Sequence, residues 1–291
     1  MIQSKSKICI GAANFGEIYG INKKKAISQR TLKRIFQYAK QKKIKFIDTS
    51  MNYKNSDFKI GKIKLKNINI ITKISNFPKE DDDLENWIIN QVITSCKKLK
   101  IKSLYGLLIH KTNELKNKKR SKKIFKAFDT LIKKRLVKKI GLSIYEPKEL
   151  SRYFKSYNFG IVQAPLNIFD RRLVSSGWFK KLKNKKVEIH ARSIFLQGLL
   201  LKESSKITSK FKKWKKQIIY FEKWTNKNNI SKVEACLRLT NNFIGLDQVI
   251  LGVRDEDQLN RNYLALKKGK LNVPSRLIIN KGKIIDPRKW K

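Results

Sequence analysis

The sequence predicts an α/β protein folded as a (β/α)8 TIM barrel of parallel strands. Three observations predict it. Eight short apolar runs are spread along the 291 residues. Longer amphipathic stretches separate them. The first run continues as "GAANFGEIYG" (11–20), which is not the GxGxxG turn that opens a doubly wound dinucleotide fold, and no Walker loop is present. No linker or composition break divides the chain, so residues 1–291 read as a single domain.

The first run is "KICIGA" (7–12), followed by "IKFIDT" (44–49), "INIITK" (68–73) and "LYGLLIH" (104–110). The second half supplies "KKIGLS" (138–143), "GIVQAPLN" (160–167), "VEIHARS" (187–193) and "QVILGV" (248–253). Each is rich in Ile, Leu and Val and almost continuously apolar, as a strand buried on both faces must be. Between them, 28–41 places Leu32, Ile35, Phe36 and Ala39 on one helical face behind a capping Ser28. The stretch 121–136 aligns Ile124, Phe125, Phe128, Leu131 and Ile132. Segment 231–240 opens on a capping-box pattern, Ser231 with Glu234, and 255–267 opens on acidic residues that suit a helix N-terminus. The long interval 194–247 has room for an extra helix beyond one crossover.

The second, third and fourth runs end in ionisable residues: Asp48, Lys73 and His110. In a barrel all strand C-termini meet at one rim, where sites form. Three residues distant in sequence therefore converge there, and Tyr53, five residues after Asp48, reaches the same place. Taken singly each has a blander reading: Asp48 as a helix cap, Lys73 as one lysine among many, Tyr53 as packing. Their joint occurrence at successive strand ends outweighs those readings. A free phenol titrates near pH 10, too high for ready proton exchange. An ammonium beside it stabilises the phenolate, and a carboxylate holds that ammonium in place. An imidazole orients a carbonyl. The set describes a tyrosine general acid next to a polarised C=O, and it requires an outside electron source such as a nicotinamide.

Composition limits the rest. Hydrophobic residues at 41% and aromatics at 10% indicate a folded globule. No apolar run nears the ~20 residues of a membrane span, and the start "MIQSKSKICIG" lacks a signal-peptide core, so no membrane association is expected. Three scattered cysteines, Cys9, Cys96 and Cys236, form no disulfide framework and no metal-binding pattern, which points to a reduced, cytoplasmic setting without a metal. Lys and Arg total 69 against 22 acidic residues, a formal charge of +47. The lysines are dispersed along the whole chain, as on solvated helix faces, rather than gathered into a specific nucleic-acid surface. Either way the field draws in anionic ligands. Arg171 and Arg172 line the substrate mouth, or pair with Asp170, or stay solvated; Tyr19 reaches over the rim or packs its loop; the five tryptophans pack.

The blocks "GAANFG" (11–16), "FIDTSMNY" (46–53), "ITK" (71–73), "LLIH" (107–110), "GLS" (141–143), "VQAPLNIFDRR" (162–172), "RSIFLQGLL" (192–200) and "LGVRDEDQLNRN" (251–262) together resemble the aldo/keto reductase family over nearly the whole chain. The resemblance implies a catalytic tetrad of Asp48, Tyr53, Lys73 and His110, acting on a small carbonyl substrate, an aldehyde or ketone or a sugar derivative, as in bacterial members. It implies NADP (NADPH) as cofactor, with Ser143 and Gln163 at the nicotinamide amide. Arg192 stands where a ring usually stacks on the nicotinamide, and a guanidinium plane can take that place. Ile144 replaces an Asn common in the family, and Asp57 a Glu. Arg254, Gln258 and Asn262 are implied at the adenosine 2′-phosphate and adenine, with Arg254 suited to phosphate by its planar fork. The alternative to a reductase is a nucleotide-binding regulatory or scaffold subunit of the same fold with little turnover.

Overall fold

The computed structural model describes residues 6–16, 26–80, 82–279 and 282–290. Tyr19 lies outside the described residues. The eight apolar runs form eight strands: β1 (Ile8–Gly11), β2 (Phe46–Asp48), β3 (Asn69–Ile74), β4 (Leu104–Ile109), β5 (Val137–Ser143), β6 (Ile161–Pro165), β7 (Glu188–Arg192) and β8 (Gln248–Gly252). They pair in sequence order, all parallel, and β8 closes onto β1. Every crossover is long enough for helix, and helices cover the outside.

Those helices are α1 (Gln29–Gln41), α2 (Ser56–Gly61), α3 (Leu84–Leu99), α4 (Lys118–Lys133), α5 (Pro147–Tyr153), α6 (Arg172–Ser175), α7 (Trp178–Asn184), α8 (Lys215–Lys227), α9 (Lys232–Thr240) and α10 (Glu256–Lys267). Helix α1 buries the expected Leu32, Ile35, Phe36 and Ala39, and Ser28 Oγ accepts from Thr31 N at 3.1 Å. Helix α4 begins about one turn earlier than its apolar stripe indicates. Asn117 caps it, accepting from Arg120 N at 3.1 Å, and the lysine-rich first turn stays in solvent. In α9 only half of the capping box forms. Ser231 accepts from Glu234 N at 3.1 Å, while the Glu234 carboxylate turns to Arg238 and Lys268, at 2.9 and 2.8 Å. The interval after β7 does carry extra helix: α8 precedes α9, with short 3-10 turns leading into it.

The main core lies between barrel and helices. Inside the barrel a second cluster, Ile71, Leu108 and Ile161, packs with Phe46 and Tyr105. Beneath it sits a polar floor. The Glu188 carboxylate accepts from Lys139 Nζ at 2.7 Å and from Tyr105 Oη, and lies 3.2 Å from His190 Nε2. Burial raises the carboxyl's affinity for a proton, but these three donors outweigh it and hold Glu188 down at about 2. The plug confines ligand space to the opposite, C-terminal rim. Trp178 and Trp290 are buried, and Trp87, Trp214 and Trp224 pack against the core.

Candidate active site

Strand register brings the rim residues together. Gly11 pairs with Asp48, Ser143 with Gln163, and Pro165 with Arg192. Asp48 ends β2, Lys73 stands one residue before the end of β3, and His110 immediately follows β4. All three line one cavity of about 330 Å³, together with Tyr53, Ser143, Gln163, Arg192, Arg254 and Gln258.

The centre of the site is a buried ion pair. Lys73 Nζ lies 2.6 Å from Asp48 Oδ2 and donates to Thr49 O at 2.9 Å, with the two side chains 2% and 7% exposed. Gln163 Nε2 donates to the other carboxylate oxygen at 2.7 Å. Asp48 is thus no helix cap: both its oxygens are used to hold charge in the barrel mouth. Such a pair persists in a dry site only when hydrogen bonds satisfy both partners, as here. The ammonium sits 5.7 Å from the Tyr53 ring centroid. His110 is held neutral. Burial first, then the charges of Lys73, Arg192 and Lys111, lower its imidazole to about 3.

The loop carrying Tyr53 is tied down from several sides. Met51 N donates to Lys73 O at 3.1 Å, Asn52 Nδ2 to Ser75 Oγ at 2.5 Å, and Ser56 Oγ to Ala12 O at 3.0 Å. Behind it Asp57 accepts from Thr49 Oγ1 and Ser95 Oγ, both at 2.8 Å, and burial raises its carboxyl. Gly16 meets the same loop so closely that a Cβ would fall 1.2 Å from Lys54 O. Cys9, Cys96 and Cys236 are buried free thiols. Cys9 lies under the ion pair, and burial, reinforced by Asp48, raises its pKa well above the ordinary range, so it is no nucleophile.

The far walls come from β7 and β8. Arg192 Nη2 donates to Ile144 O at 2.8 Å, and its guanidinium carbon stands 4.0 Å from the Tyr145 ring centroid. After β7, Leu196, Gln197 and Gly198 take φ of +47°, +53° and +94° in succession. Left-handed backbone at two non-glycine residues is strain of the kind found where chain wraps a ligand. Gln258 Oε1 accepts from Arg254 N at 2.8 Å, fixing the Arg254 stem at the start of α10. The structure does not bring Asn262 to this wall. It is buried within α10, 2% exposed, and its Nδ2 has no partner among the described residues. Arg172 spends its fork on Asp170, at 2.9 and 2.8 Å, rather than on the mouth. Among the described residues no group of three or more His, Cys, Asp or Glu gathers around a point, and no helix is long and apolar enough to cross a membrane.

Sequence reasoning passed over Asn14, Tyr145, Gln197 and Gly198, all of which line the cavity. The Asn14 of "GAANFG" carried a signal in its block, and its Oδ1 is buried without a partner, while Nδ2 donates to Val253 O at 3.0 Å. The residues present fit a nicotinamide dinucleotide. A planar guanidinium forms one wall, the Gln163 oxygen faces the cavity for an amide, and Arg254 lines the same cavity with Gln258. Gly252 offers bare backbone where a Cβ would meet nothing within 4 Å.

Solved structures share this architecture. An aldo-keto reductase from Bacillus halodurans, AKR11C1, is 17% identical, with a TM-score of 0.73 over 92% of this chain and 89% of that one. PA4992 of Pseudomonas aeruginosa, assigned as an aldo-keto reductase, is 15% identical, with a TM-score of 0.68 over 91% and 90%. At such identity the likeness speaks for the fold. No curated protein matches the sequence. The model of the aldo/keto reductase family matches residues 7–273, and with that match over most of its length the chain belongs to the aldo/keto reductase family, whose carbonyl-reducing oxidoreductase chemistry its fold supports.

Proposed function

We propose that this protein reduces an aldehyde or ketone, a sugar derivative among the candidates, to the alcohol with NADPH, using Tyr53 as general acid. One observation carries the reading: the buried Asp48–Lys73 pair lies beside the Tyr53 ring in a cavity shared with a neutral His110. When bound, NADPH supplies a hydride to the carbonyl carbon. The chain's own residues manage the oxygen. His110, neutral, donates one hydrogen bond to it and sets its angle. Tyr53 gives the oxygen its proton as the alcohol forms. Lys73 balances the phenolate left behind, and Asp48 keeps Lys73 fixed and charged. Ser143 and the Gln163 oxygen hold the amide end, Arg192 faces the ring, and Arg254 with Gln258 takes the adenosine phosphate.

The experiment is Tyr53→Phe. Turnover followed by nicotinamide absorbance is expected to fall by about 10²–10⁴, the range a positioned general acid contributes. NADPH affinity by fluorescence stays within about threefold, a shift well under 1 kcal/mol. A variant that reduces carbonyls at the parent rate would remove Tyr53 from the mechanism. Wild-type protein that binds NADPH yet transfers nothing in a single turnover to a reactive aldehyde would favour a nucleotide-binding scaffold instead.

A further inference from the structure

Tyr145 is held between two cations. The Arg192 guanidinium carbon lies 4.0 Å from its ring centroid and that of Arg288 lies 3.8 Å from it. Two guanidinium groups at those distances do not fit over one face, so the ring is sandwiched. Its backbone is also fixed: Tyr145 N donates to Glu149 Oε1 at 2.8 Å, and Tyr145 O accepts from Arg172 Nη2 at 3.0 Å. The outer cation is neutralised. Asp286, 1% exposed, binds Arg288 through Nε at 2.9 Å and Nη2 at 2.7 Å. The inner cation has no carboxylate within ion-pair distance among the described residues, and it lines the cavity. Trp290 anchors the same terminal segment, its Nε1 donating to Lys283 O and Ile284 O at 3.0 and 3.1 Å. Arg288 and Asp286 both lie beyond the 7–273 of the family match.

We propose that Tyr145 is a positioning residue. Clamped between Arg192 and Arg288, it holds the Arg192 guanidinium flat as the cavity wall that grips a nicotinamide ring, and so makes the 286–290 segment part of cofactor binding. The proposal rests on the NADPH reading above. Its physical content is rigidity. A guanidinium stacks well only when its plane is set beforehand, and a π face fixes that plane without consuming its hydrogen bonds. Arg192 Nη2 then reaches Ile144 O, and the face away from Tyr145 is left for a ring.

The test compares Tyr145→Leu, Tyr145→Phe, Arg288→Leu and Arg192→Leu, each with its melting temperature recorded. The probes are NADPH and 2′-phospho-ADP-ribose, which keeps the adenosine phosphate but lacks the nicotinamide. Tyr145→Leu and Arg192→Leu are expected to weaken NADPH by roughly tenfold, about 1.4 kcal/mol, and to leave the nicotinamide-free probe unchanged. Arg288→Leu weakens NADPH by a smaller factor in the same selective way. Tyr145→Phe, which keeps the π face, restores wild-type affinity. Adding Tyr145→Leu to Arg192→Leu costs nothing further, because both remove one wall. Equal loss for both probes, or NADPH binding unaffected by Tyr145→Leu, overturns the proposal. Wild-type protein that binds neither probe instead overturns the NADPH reading beneath it.

Discussion

Single residues carry the chemistry, and their dependence on each other is measurable. Lys73→Met leaves the Asp48 carboxylate buried without its cation, which costs about 3–5 kcal/mol. Lys73→Met with Asp48→Asn removes both charges and recovers most of that loss in urea unfolding, though not activity. His110 gives a second signature. Its folded imidazole protonates at about 3 and the unfolded one near 6.5. The unfolded chain therefore takes up a proton first as pH falls, so His110 is neutral in both states above pH 6.5 and destabilises the fold progressively from there down to pH 3. The slope is about 1.4 kcal/mol per pH unit within the window. His110→Gln should flatten the stability curve between pH 6.5 and 4.5. An unchanged curve there would show the ring protonating normally. His110 was legible in the sequence because histidine is rare in this chain. Tyr145 was not, because nothing local marks a tyrosine whose meaning comes from arginines 47 and more residues away in the chain.

Secondary-structure elements set how closely those residues approach. Strands β5 and β6 are drawn together at Gly141, where a Cβ would lie 2.3 Å from Ile161 O and 2.5 Å from Leu108 Cδ2. Gly141→Ala is expected to cost about 1–3 kcal/mol by thermal unfolding, since strand backbone cannot retreat inside a closed barrel. The floor made by β4, β5 and β7 has its own pH range. Glu188 protonates at about 2 in the fold against 4.5 in the open chain. It stabilises above pH 4.5 and loses that contribution as pH falls to 2, so Glu188→Gln should act on the acid limb from pH 4.5 downward, overlapping only the lower part of the His110 window. Element positions were readable from apolar runs because most positions of a strand buried on both faces must be apolar, and the charged exceptions Asp48, Lys73, Lys139 and Glu188 are paired at the rim or the floor. Helix starts were less so. Helix α4 begins at its Asn117 cap, not where its apolar stripe begins, because capping a chain end outweighs the preference of any one residue inside.

At the scale of the whole molecule the charge of +47 acts on everything that approaches. NADPH is a polyanion, so its dissociation constant should rise several-fold between about 0.01 M and 1 M salt as the screening length falls from about 30 Å to 3 Å. Turnover at saturating NADPH, set inside the cavity, should change little. A dissociation constant flat across that range would mean that the dispersed lysines do not steer the cofactor.

Taken alone, the sequence determined the barrel, its eight strands in order, and the gathering of Asp48, Tyr53, Lys73 and His110. Strand burial and strand polarity are written locally, residue by residue, and a parallel barrel sends every strand end to one rim. Tertiary structure alone decided that Gln163 spends its amide nitrogen on Asp48, that Asn262 stays off the cavity wall, and that Tyr145 lies between Arg192 and Arg288. Those outcomes depend on which side chains from separate strands and the terminal segment compete for the same few ångströms, and no local pattern records that competition.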